Sequence, residues 1–494
     1  MRIILSLLFI SAAWLATAQS TESNLKAAIN ELEDFIGLPN FGLDKKDIEK
    51  NITWLEAAFQ KRGMRCEVLQ TDGNPLLLAQ KAINKNLPTV LFYMHLDGQA
   101  VDTQKWDQDS PYQAVIKKKN AQGEWVEVTA TNLDSVDREW RIFGRSASDD
   151  KGPIIAFLQA IDRLENDGKQ AEFNIKVILD AEEELGSKSL PAAVVKYRDM
   201  LKADVLIIND GPVHSSGQPT LTFGCRGITT INLTTYGPIR PQHSGHYGNY
   251  APNPIFKMAH LLASMKNKDG TVAIEGYYDG IVLNEQTKST LSLVPDDEDK
   301  IQDFLQIASP EKVGANYQES LQYPSLNARG INAGWVGAKA RTIVPDIATV
   351  AIDIRLVPES DPTVLVPVIK KHIEKEGYHI VDKEPSYEER KKYPDLIYFY
   401  HARNTLPFRT DMNAPEGKWL TKAIQNSFNT DPIKIRIMGG TVPISAFINE
   451  LNIPAIIVPM VNPDNNQHSP NENLRIGHFE DAIKLFYGIF TTEI

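Results

Sequence analysis

The segment Gly144-Arg-Ser-Ala-Ser-Asp149-Asp150-Lys151-Gly152-Pro153 is the part of the chain from which the fold can be worked out. It ends a short polar loop with two adjacent aspartates, Asp149 and Asp150. Apolar residues follow at helical spacing, at Ile154, Ile155, Phe157, Leu158, Ile161 and Leu164. This spacing predicts a helix that packs against a core and carries both carboxylates at its start. Aspartate at a helix start is also ordinary capping, so this segment alone does not separate a cap from a ligand site.

Other segments have the pattern of buried strands that run into polar side chains. They are 87–97, ending in His95 and Asp97; 173–184, ending in three glutamates; 204–210, ending in Asp210; and 453–460, which leads to His468. The alternation of helices and apolar strands predicts an α/β fold with a mostly parallel sheet covered on both faces. Ligands bind at the carboxyl edge of such sheets, so we expect these polar side chains to converge there.

Seven short motifs extend this pattern along the chain. They are His95-x-Asp97, Gly144-Arg-x-x-x-Asp149-Asp150-Lys151-Gly152, Glu183-Glu184-x-Gly186-Ser187, Asn209-Asp210, His243-Ser-Gly245, Gly439-Gly-Thr441 and His468-Ser469-x-Asn471-Glu472. In this order they resemble the M20 family of dinuclear metallopeptidases, and most of all its carnosinase-like dipeptidases. The resemblance covers residues 95 to 472 and implies a zinc-peptidase type catalytic domain with an inserted α+β lid or dimerisation domain.

The pattern of the chain changes near residue 225, where a half-exposed strand replaces the buried strands. A β-α…β-α-β order follows and predicts a smaller open-faced sheet with helices on one side. We therefore assign 19–224 and 412–494 to the catalytic domain and 225–411 to the inserted domain. Residues 112–141 have a hairpin-like pattern that leads into the Asp149 loop.

The resemblance implies two divalent metal ions, with Asp149 bridging them. His95 and Asp210 complete one ion, and Glu184 and His468 complete the other. Imidazole and carboxylate ligands suit Zn²⁺, Mn²⁺ and Co²⁺, and Zn²⁺ is the ion that we expect.

Further roles follow from the same resemblance. Glu183 is expected to act as general base, and Asp97 to hold the His95 ring. His243 is expected to stabilise the oxyanion in the neighbouring subunit of a homodimer. The implied substrate-binding residues are Thr342, Arg355, Gly440 and Thr441. Many relatives have Arg-Glu before the two glycines, whereas this chain has Ile437-Met438, which puts the substrate preference in question.

The net charge bears on the partners of the protein, and the first 18 residues bear on its cellular location. A formal net charge of −11 argues against nucleic acid and anionic membranes as partners. Residues 1–18 have the positive start, apolar centre and Ala16-Thr17-Ala18 end of a signal peptide, which predicts export to the periplasm or the medium. The two cysteines, Cys66 and Cys225, are interpreted as buried thiols.

Three functions fit these observations to different degrees. The leading prediction is metal-dependent hydrolysis of dipeptides or short peptides. The alternative with the same chemistry is hydrolysis of N-acyl amino acids. The third is a non-catalytic binding protein on the same fold, which has no need of an unligated base such as Glu183. A serine hydrolase is disfavoured because the sequence has no Gly-x-Ser-x-Gly motif.

Overall fold

The computed structural model describes residues 24–128 and 136–494, so the predicted signal peptide lies outside the described residues. The strands are β1 (Arg65–Leu69), β2 (Leu76–Lys81), β3 (Thr89–His95), β4 (Val115–Lys119), β5 (Trp125–Glu127), β6 (Arg141–Phe143), β7 (Asn174–Asp180), β8 (Val205–Ile208), β9 (Thr220–Thr222), β10 (Gly224–Cys225), β11 (Gly227–Tyr236), β12 (Gln242–His243), β13 (Asn327–Asn332), β14 (Ile343–Val344), β15 (Ile347–Leu356), β16 (His379–Val381), β17 (Leu396–Thr405), β18 (Phe408–Arg409), β19 (Ile433–Ile435), β20 (Ala455–Ile457) and β21 (Asn473–Arg475).

The helices are α1 (24–36), α2 (Lys45–Lys61), α3 (Lys151–Asn166), α4 (Leu190–Lys196), α5 (Arg198–Leu201), α6 (Ser244–Tyr247), α7 (Pro254–Met265), α8 (Glu285–Leu291), α9 (Glu298–Leu305), α10 (Tyr317–Ser320), α11 (Pro362–Lys375), α12 (Tyr387–Lys392), α13 (Pro415–Phe428), α14 (Ser445–Leu451) and α15 (Ile476–Phe490). Within the described ranges, none of these helices has both the length and the apolar character needed to cross a membrane.

The chain forms two compact units. The first consists of the residues up to Phe223 together with Thr410–Lys434 and Ala446–Ile494, and the inserted unit consists of Gly224–Arg409 and Ile435–Ser445. The predicted inserted domain, 225–411, lacks the 435–445 segment. This segment groups with the inserted unit because its backbone pairs there: Met438 N–H donates to the Gly224 carbonyl at 2.9 Å.

The first unit is built on a sheet of eight strands among the described residues, in the order β1-β2-β7-β3-β8-β20-β9-β19. The central strands β7, β3, β8 and β20 are mutually parallel, whereas β1 and β2 at one edge and β9 near the other are antiparallel to their neighbours. The four parallel strands are those whose sequences run into polar side chains. The predicted mostly parallel α/β sheet is therefore confirmed, with antiparallel strands towards the edges.

Two adjacent residues of β3 show that the sheet is covered on both faces. Side chains alternate along a strand, so Phe92 and Tyr93 point to opposite faces. Phe92 packs on one face against Phe157 of α3, with ring centroids 5.0 Å apart, and against Phe490 of α15, at 6.0 Å. Tyr93 packs on the other face against Phe447 of α14, at 5.8 Å. Burying a phenylalanine side chain this completely contributes about 1.5–3 kcal/mol, so the apolar strand sequences stabilise a two-sided core.

A smaller sheet, ordered β21-β6-β4-β5, connects the two loops that matter most for the site. Strands β4 and β5 form the hairpin predicted within 112–141, although residues 129–135 of that segment lie outside the described residues. Strand β6 leads into the loop that carries Asp149, and β21 follows the loop that carries His468. Because β6 and β21 pair antiparallel, the two loops lie next to each other.

The inserted unit contains a sheet ordered β13-β15-β11-β17-β16, antiparallel except for the β16–β17 pair. Apolar residues of α7 and α11, including Leu261 and Ile369, pack with Ile231 and Val350 of this sheet. The predicted α+β class of this unit is confirmed. The structure adds strands β13 and β17, which the sequence analysis did not identify.

Candidate metal centre

The ligand candidates meet because their strands are parallel neighbours. His95 is the last residue of β3, β7 leads to a 3-10 turn at Glu183–Leu185, and Asp210 follows β8 by two residues. The turn ends at Gly186, whose φ of +83° is favourable only for glycine. His468 lies in the loop after β20, so the four central strands all deliver side chains to one edge.

Asp149 lies at the centre of these side chains. Its Oδ1 is 2.8 Å from His95 Nε2, and its Oδ2 is 3.0 Å from His468 Nε2. Two groups of ligand atoms, each within 4.8 Å of one another, share this aspartate: His95, Asp149 and Asp210, and Asp149, Glu184 and His468. The five predicted ligands therefore form two adjoining three-residue sites with one common carboxylate. The Asp149–Asp150 peptide bond is cis.

Asp149 Oδ2 provides the test of whether two ions fit here. This oxygen is buried and makes no hydrogen bond, although His468 Nε2 is 3.0 Å away, because the pair lacks hydrogen-bond geometry. A buried carboxylate oxygen without a donor is costly unless it binds a cation. Both ligand groups combine imidazole with carboxylates, the donor set of Zn²⁺ and similar ions. The residues fit two divalent ions, and Asp149 would be available to both.

The protonation properties of the cluster reflect an excess of negative charge. Burial, reinforced by the negative charge of Asp149, raises the pKa of Glu184 to about 7 and that of Asp210 to about 6. Burial also raises the pKa of Glu183 well above its ordinary value; His95 opposes this rise, and Asp210 and Glu184 add to it. Several carboxylates in one small buried volume repel each other, and divalent cations relieve that repulsion.

Asp97 contacts both sides of the site. Its Oδ1 lies 3.5 Å from His95 Nδ1. Its two oxygens also accept hydrogen bonds from the backbone N–H groups of Glu183 and Glu184, each at 3.1 Å. The predicted contact with the His95 ring is present. The contact with the glutamate turn was not predicted, because sequence gives no sign that β3 and this turn adjoin.

Glu183 and Glu184 are adjacent in sequence but differ in their surroundings. Glu184 Oε2 lies 3.2 Å from His468 Nε2 and accepts a hydrogen bond of 2.7 Å from Gln99. Glu183 belongs to neither of the ligand groups found among the described residues. The third glutamate, Glu182, accepts a hydrogen bond from the Asn74 backbone N–H at 2.8 Å and belongs to neither group.

Glu472 is a fully buried carboxylate that organises the Asp149 loop. It accepts from Arg145 Nη1 at 2.7 Å and from the backbone N–H groups of Ser146, Ser148 and Asp149 at 3.0–3.1 Å. The residue lies at the end of the His468 motif, so it connects the loops of two metal-ligand candidates. Sequence analysis included Glu472 in a motif but assigned it no role, since its partners lie more than 300 residues away.

The five remaining predicted site residues lie in the inserted unit, in two separate regions. His243 and Thr342 belong to one region, where β12 pairs with β14 and Ser244 N–H donates to the Thr342 carbonyl at 3.1 Å. His243 is exposed and caps α6 through a hydrogen bond from the Gly245 N–H. In the other region, Arg355 Nη1 donates to Thr441 Oγ1 at 2.7 Å, beside the exposed Gly440. The part of the chain that the structure describes has no hydrogen bond between these two regions.

Comparison with known proteins identifies the family. The family model described as "Peptidase family M20/M25/M40" matches residues 91–492. The chain belongs to this family. It is a metallopeptidase, which agrees with the paired ligand groups around Asp149.

Curated M20-type relatives resemble the chain over most of its length. The Beta-Ala-His dipeptidase of Mus musculus is 27% identical over 425 residues, which cover 84% of this chain and 79% of the mouse protein. The Cys-Gly metallodipeptidase dug1 of Schizosaccharomyces pombe is 26% identical over 499 residues, covering 94% of this chain and 91% of the yeast protein. Among solved structures, an M20 family metallo-carboxypeptidase from Sulfolobus solfataricus has a TM-score of 0.74 and 26% identity, covering 94% of this chain and 98% of its own.

Proposed function

We propose that this chain is a dipeptidase that cleaves dipeptides and other short peptides with a free carboxyl end. The observation that carries the proposal is the Asp149 carboxylate shared by two ligand groups, with Glu183 next to them but in neither. Two curated relatives, named as dipeptidases for Beta-Ala-His and Cys-Gly, support the choice of dipeptides.

We assign the ions as the resemblance implied. His95, Asp210 and Asp149 Oδ1 would hold one ion, and Glu184, His468 and Asp149 Oδ2 the other. We propose Zn²⁺ as the native ion; Mn²⁺ and Co²⁺ suit the same ligands. When bound, a pair of such ions polarises a peptide carbonyl and lowers the pKa of water towards neutrality.

Proton transfer is assigned to Glu183. Its carboxylate takes a proton from the attacking water and later gives it to the nitrogen of the leaving amine. Burial raises the pKa of Glu183, which is the direction that a carboxylate needs if it is to accept and then donate a proton. Asp97 positions Glu183 through the Glu183 backbone N–H, and the Asp97 backbone carbonyl, 3.2 Å from His95 Nδ1, fixes the His95 tautomer in which Nδ1 carries the proton.

Arg355, Thr342, Gly440 and Thr441 are proposed to bind the substrate. Arginine binds carboxylates with paired hydrogen bonds, and the contact with Thr441 holds the Arg355 guanidinium in place. We further propose a homodimer formed by the inserted unit, with His243 acting on the neighbouring subunit's substrate. Support comes from the fully exposed edge strand β13 and from the exposed side chains of Tyr250 and Phe256.

We also propose that residues 1–18 are removed on export and that the mature chain starts near Gln19. Mass spectrometry of protein purified from its natural host tests this directly. A mass that includes residues 1–18 would contradict export through this segment. Light scattering of the same sample tests the homodimer, which a monomer mass would exclude.

The decisive experiment is an activity assay on a panel of dipeptides, tripeptides and N-acetyl amino acids. We expect cleavage of the dipeptides, loss of activity with a chelator, and recovery with Zn²⁺. Cleavage of N-acetyl amino acids alone would replace the proposal with an amidohydrolase function. No cleavage with Zn²⁺, Mn²⁺ or Co²⁺ would favour a binding protein. Elemental analysis of the purified protein identifies the bound metal independently of activity.

A further inference from the structure

The inserted unit contains a group of arginines with too few carboxylates to balance them. This arginine cluster consists of Arg226, Arg355, Arg409 and Arg436, and the acidic side chain paired with it is Glu359. Glu359 binds Arg409 through both oxygens, at 2.6 and 3.2 Å. Among the described residues, no carboxylate lies within ion-pair distance of the other three arginines.

Arg226 is the most buried member of the arginine cluster, with 7% of its surface exposed. Its Nη2 donates to the Tyr323 carbonyl at 2.5 Å, and its buried Nε has no hydrogen-bond partner. Burial and the positive charge of Arg355 lower the pKa of Arg226 to about 10. A buried guanidinium normally has a carboxylate partner, because an unpaired buried charge is strongly unfavourable.

The backbone connects Arg226 to the segment proposed to bind the substrate. Its N–H donates to the carbonyls of Met438 and Gly440, at 3.2 and 3.1 Å. Its own carbonyl accepts from Thr441 Oγ1 at 2.7 Å, and the same hydroxyl accepts from Arg355 Nη1 at 2.7 Å. The Thr441 hydroxyl thus connects Arg226 and Arg355, because it donates one hydrogen bond and accepts another.

Arg436 extends the cluster in the direction of Arg409. Its Nη1 donates to Gln322 Oε1 at 2.5 Å, next in sequence to the Tyr323 residue that Arg226 contacts. Burial and the neighbouring charge of Arg409 lower the pKa of Arg436 to about 10. Ile437 is fully buried with Leu321 and Val357, which fixes where the Arg436 side chain leaves the backbone.

We propose that the arginine cluster binds a second carboxylate of the substrate, so that the enzyme prefers peptides whose carboxyl-terminal residue is aspartate or glutamate. This rests on the proposed function, in which Arg355 binds the terminal carboxylate. Arg226 then binds the side-chain carboxylate, and Arg436, whose hydrogen-bond acceptor Gln322 is next in sequence to that of Arg226, adds positive charge. A carboxyl-terminal aspartate or glutamate carries two carboxylates, one on its backbone and one on its side chain. These two charges match the guanidinium groups of Arg355 and Arg226, which have no acidic partner among the described residues. Arg226 is in this view a specificity-determining residue.

The test compares dipeptides that differ only in the side-chain charge of the carboxyl-terminal residue. We expect kcat/KM for Ala-Asp to exceed that for Ala-Asn by about 10- to 100-fold, the range of a charge-assisted hydrogen bond, and likewise for Ala-Glu over Ala-Gln. Arg226→Gln should bring both ratios close to one by lowering kcat/KM for the acidic substrates. Arg390→Gln is the matched control and should leave the ratios unchanged, because Arg390 lies against Tyr236 and Glu384 in the same unit.

Two further measurements keep the proposal testable if Arg226→Gln does not fold or no dipeptide is cleaved. Arg436→Gln, at a half-buried position, should reduce the same ratios in part. Calorimetry with the free amino acids needs no turnover: the metal-loaded protein should bind L-aspartate more tightly than L-asparagine. The proposal would be overturned if the wild-type enzyme had the same kcat/KM for the acidic substrates as for their amides. Equal affinity for L-aspartate and L-asparagine would also overturn it. Failure of all cleavage with preferential aspartate binding would contradict the proposed function alone.

Discussion

The Asp97 carboxylate accepts a hydrogen bond of 3.1 Å from the backbone N–H of Glu184 through Oδ2. Its Oδ1 accepts one of 3.1 Å from the backbone N–H of Glu183. The same carboxylate lies 3.5 Å from the His95 ring. One fully buried side chain therefore positions a ligand candidate of each metal group and the backbone of the proposed base. This arrangement makes Asp97 a sensitive position for both metal binding and catalysis.

We predict that Asp97→Asn weakens metal binding by about 10- to 100-fold, the usual effect of removing the carboxylate partner of a histidine ligand. The amide also replaces one of the two oxygens that accept from the Glu183 and Glu184 N–H groups with a donor, so kcat should fall even at saturating metal. Metal titration and steady-state kinetics measure the two effects separately. Asp102→Asn, at an exposed carboxylate beside Lys105, is the control and should change neither. Unchanged affinity in Asp97→Asn would refute this role.

Glu183→Gln should lower kcat by about 10²- to 10⁴-fold, the usual contribution of a general base. Metal content should stay at the wild-type level, because Glu183 belongs to neither ligand group. Asp149→Ala, by contrast, should lose metal as well as activity. Elemental analysis beside the kinetic assay distinguishes the two outcomes. The neighbouring Glu182→Gln serves as control, and wild-type turnover in Glu183→Gln would show that another group takes the proton.

Glu472→Gln should destabilise the Asp149 loop. The amide leaves the buried charge of Arg145 unpaired and turns a donor towards it, which costs about 3–5 kcal/mol. We expect a lower free energy of unfolding in urea and weaker metal binding, because the Ser146 backbone N–H in the same loop, which shares the Arg145-facing oxygen, also loses its acceptor. Glu480→Gln removes a partly exposed ion pair with Arg138 and should cost less than about 1 kcal/mol. Equal effects of the two variants would contradict the assigned role.

His478 should make the fold sensitive to acid. Burial, together with the positive charge of Arg475, lowers the pKa of His478 to about 4. The unfolded chain, in which a histidine has a pKa of about 6.5, therefore binds more protons between these values. The stability that this group contributes is complete above about pH 6.5 and is lost as the pH falls towards 4.

We predict that His478→Gln has a smaller loss of unfolding free energy between about pH 7 and about pH 5 than the wild-type protein. Urea denaturation at both pH values measures the difference. Exposed His260 provides the control, since His260→Gln should retain the wild-type pH dependence. If wild type and His478→Gln lose the same stability on acidification, His478 does not titrate in this range.

The sequence predicted the fold class because local patterns repeat in a regular order. Buried strands could be identified from apolar runs such as Thr89–Met94, and the helix after Asp150 from its spacing. Residues 270–340 lack such regularity, and the strand β13 within them was not predicted. Its six residues are all exposed at a sheet edge, so no apolar alternation marks them.

By itself, the sequence determined which chemical groups are available and in what order the strands present them: the five ligand candidates, the free glutamate and the motif order that indicates an M20 peptidase. Only the tertiary structure decided which groups meet across long separations. Examples are Asp97 with the glutamate turn, Glu472 with the Asp149 loop, and Arg226 with the 435–445 segment. The physical reason is that local spacing fixes secondary structure, whereas hydrogen bonds between distant segments depend on how strands are ordered in a sheet, which is decided by the packing of the whole core.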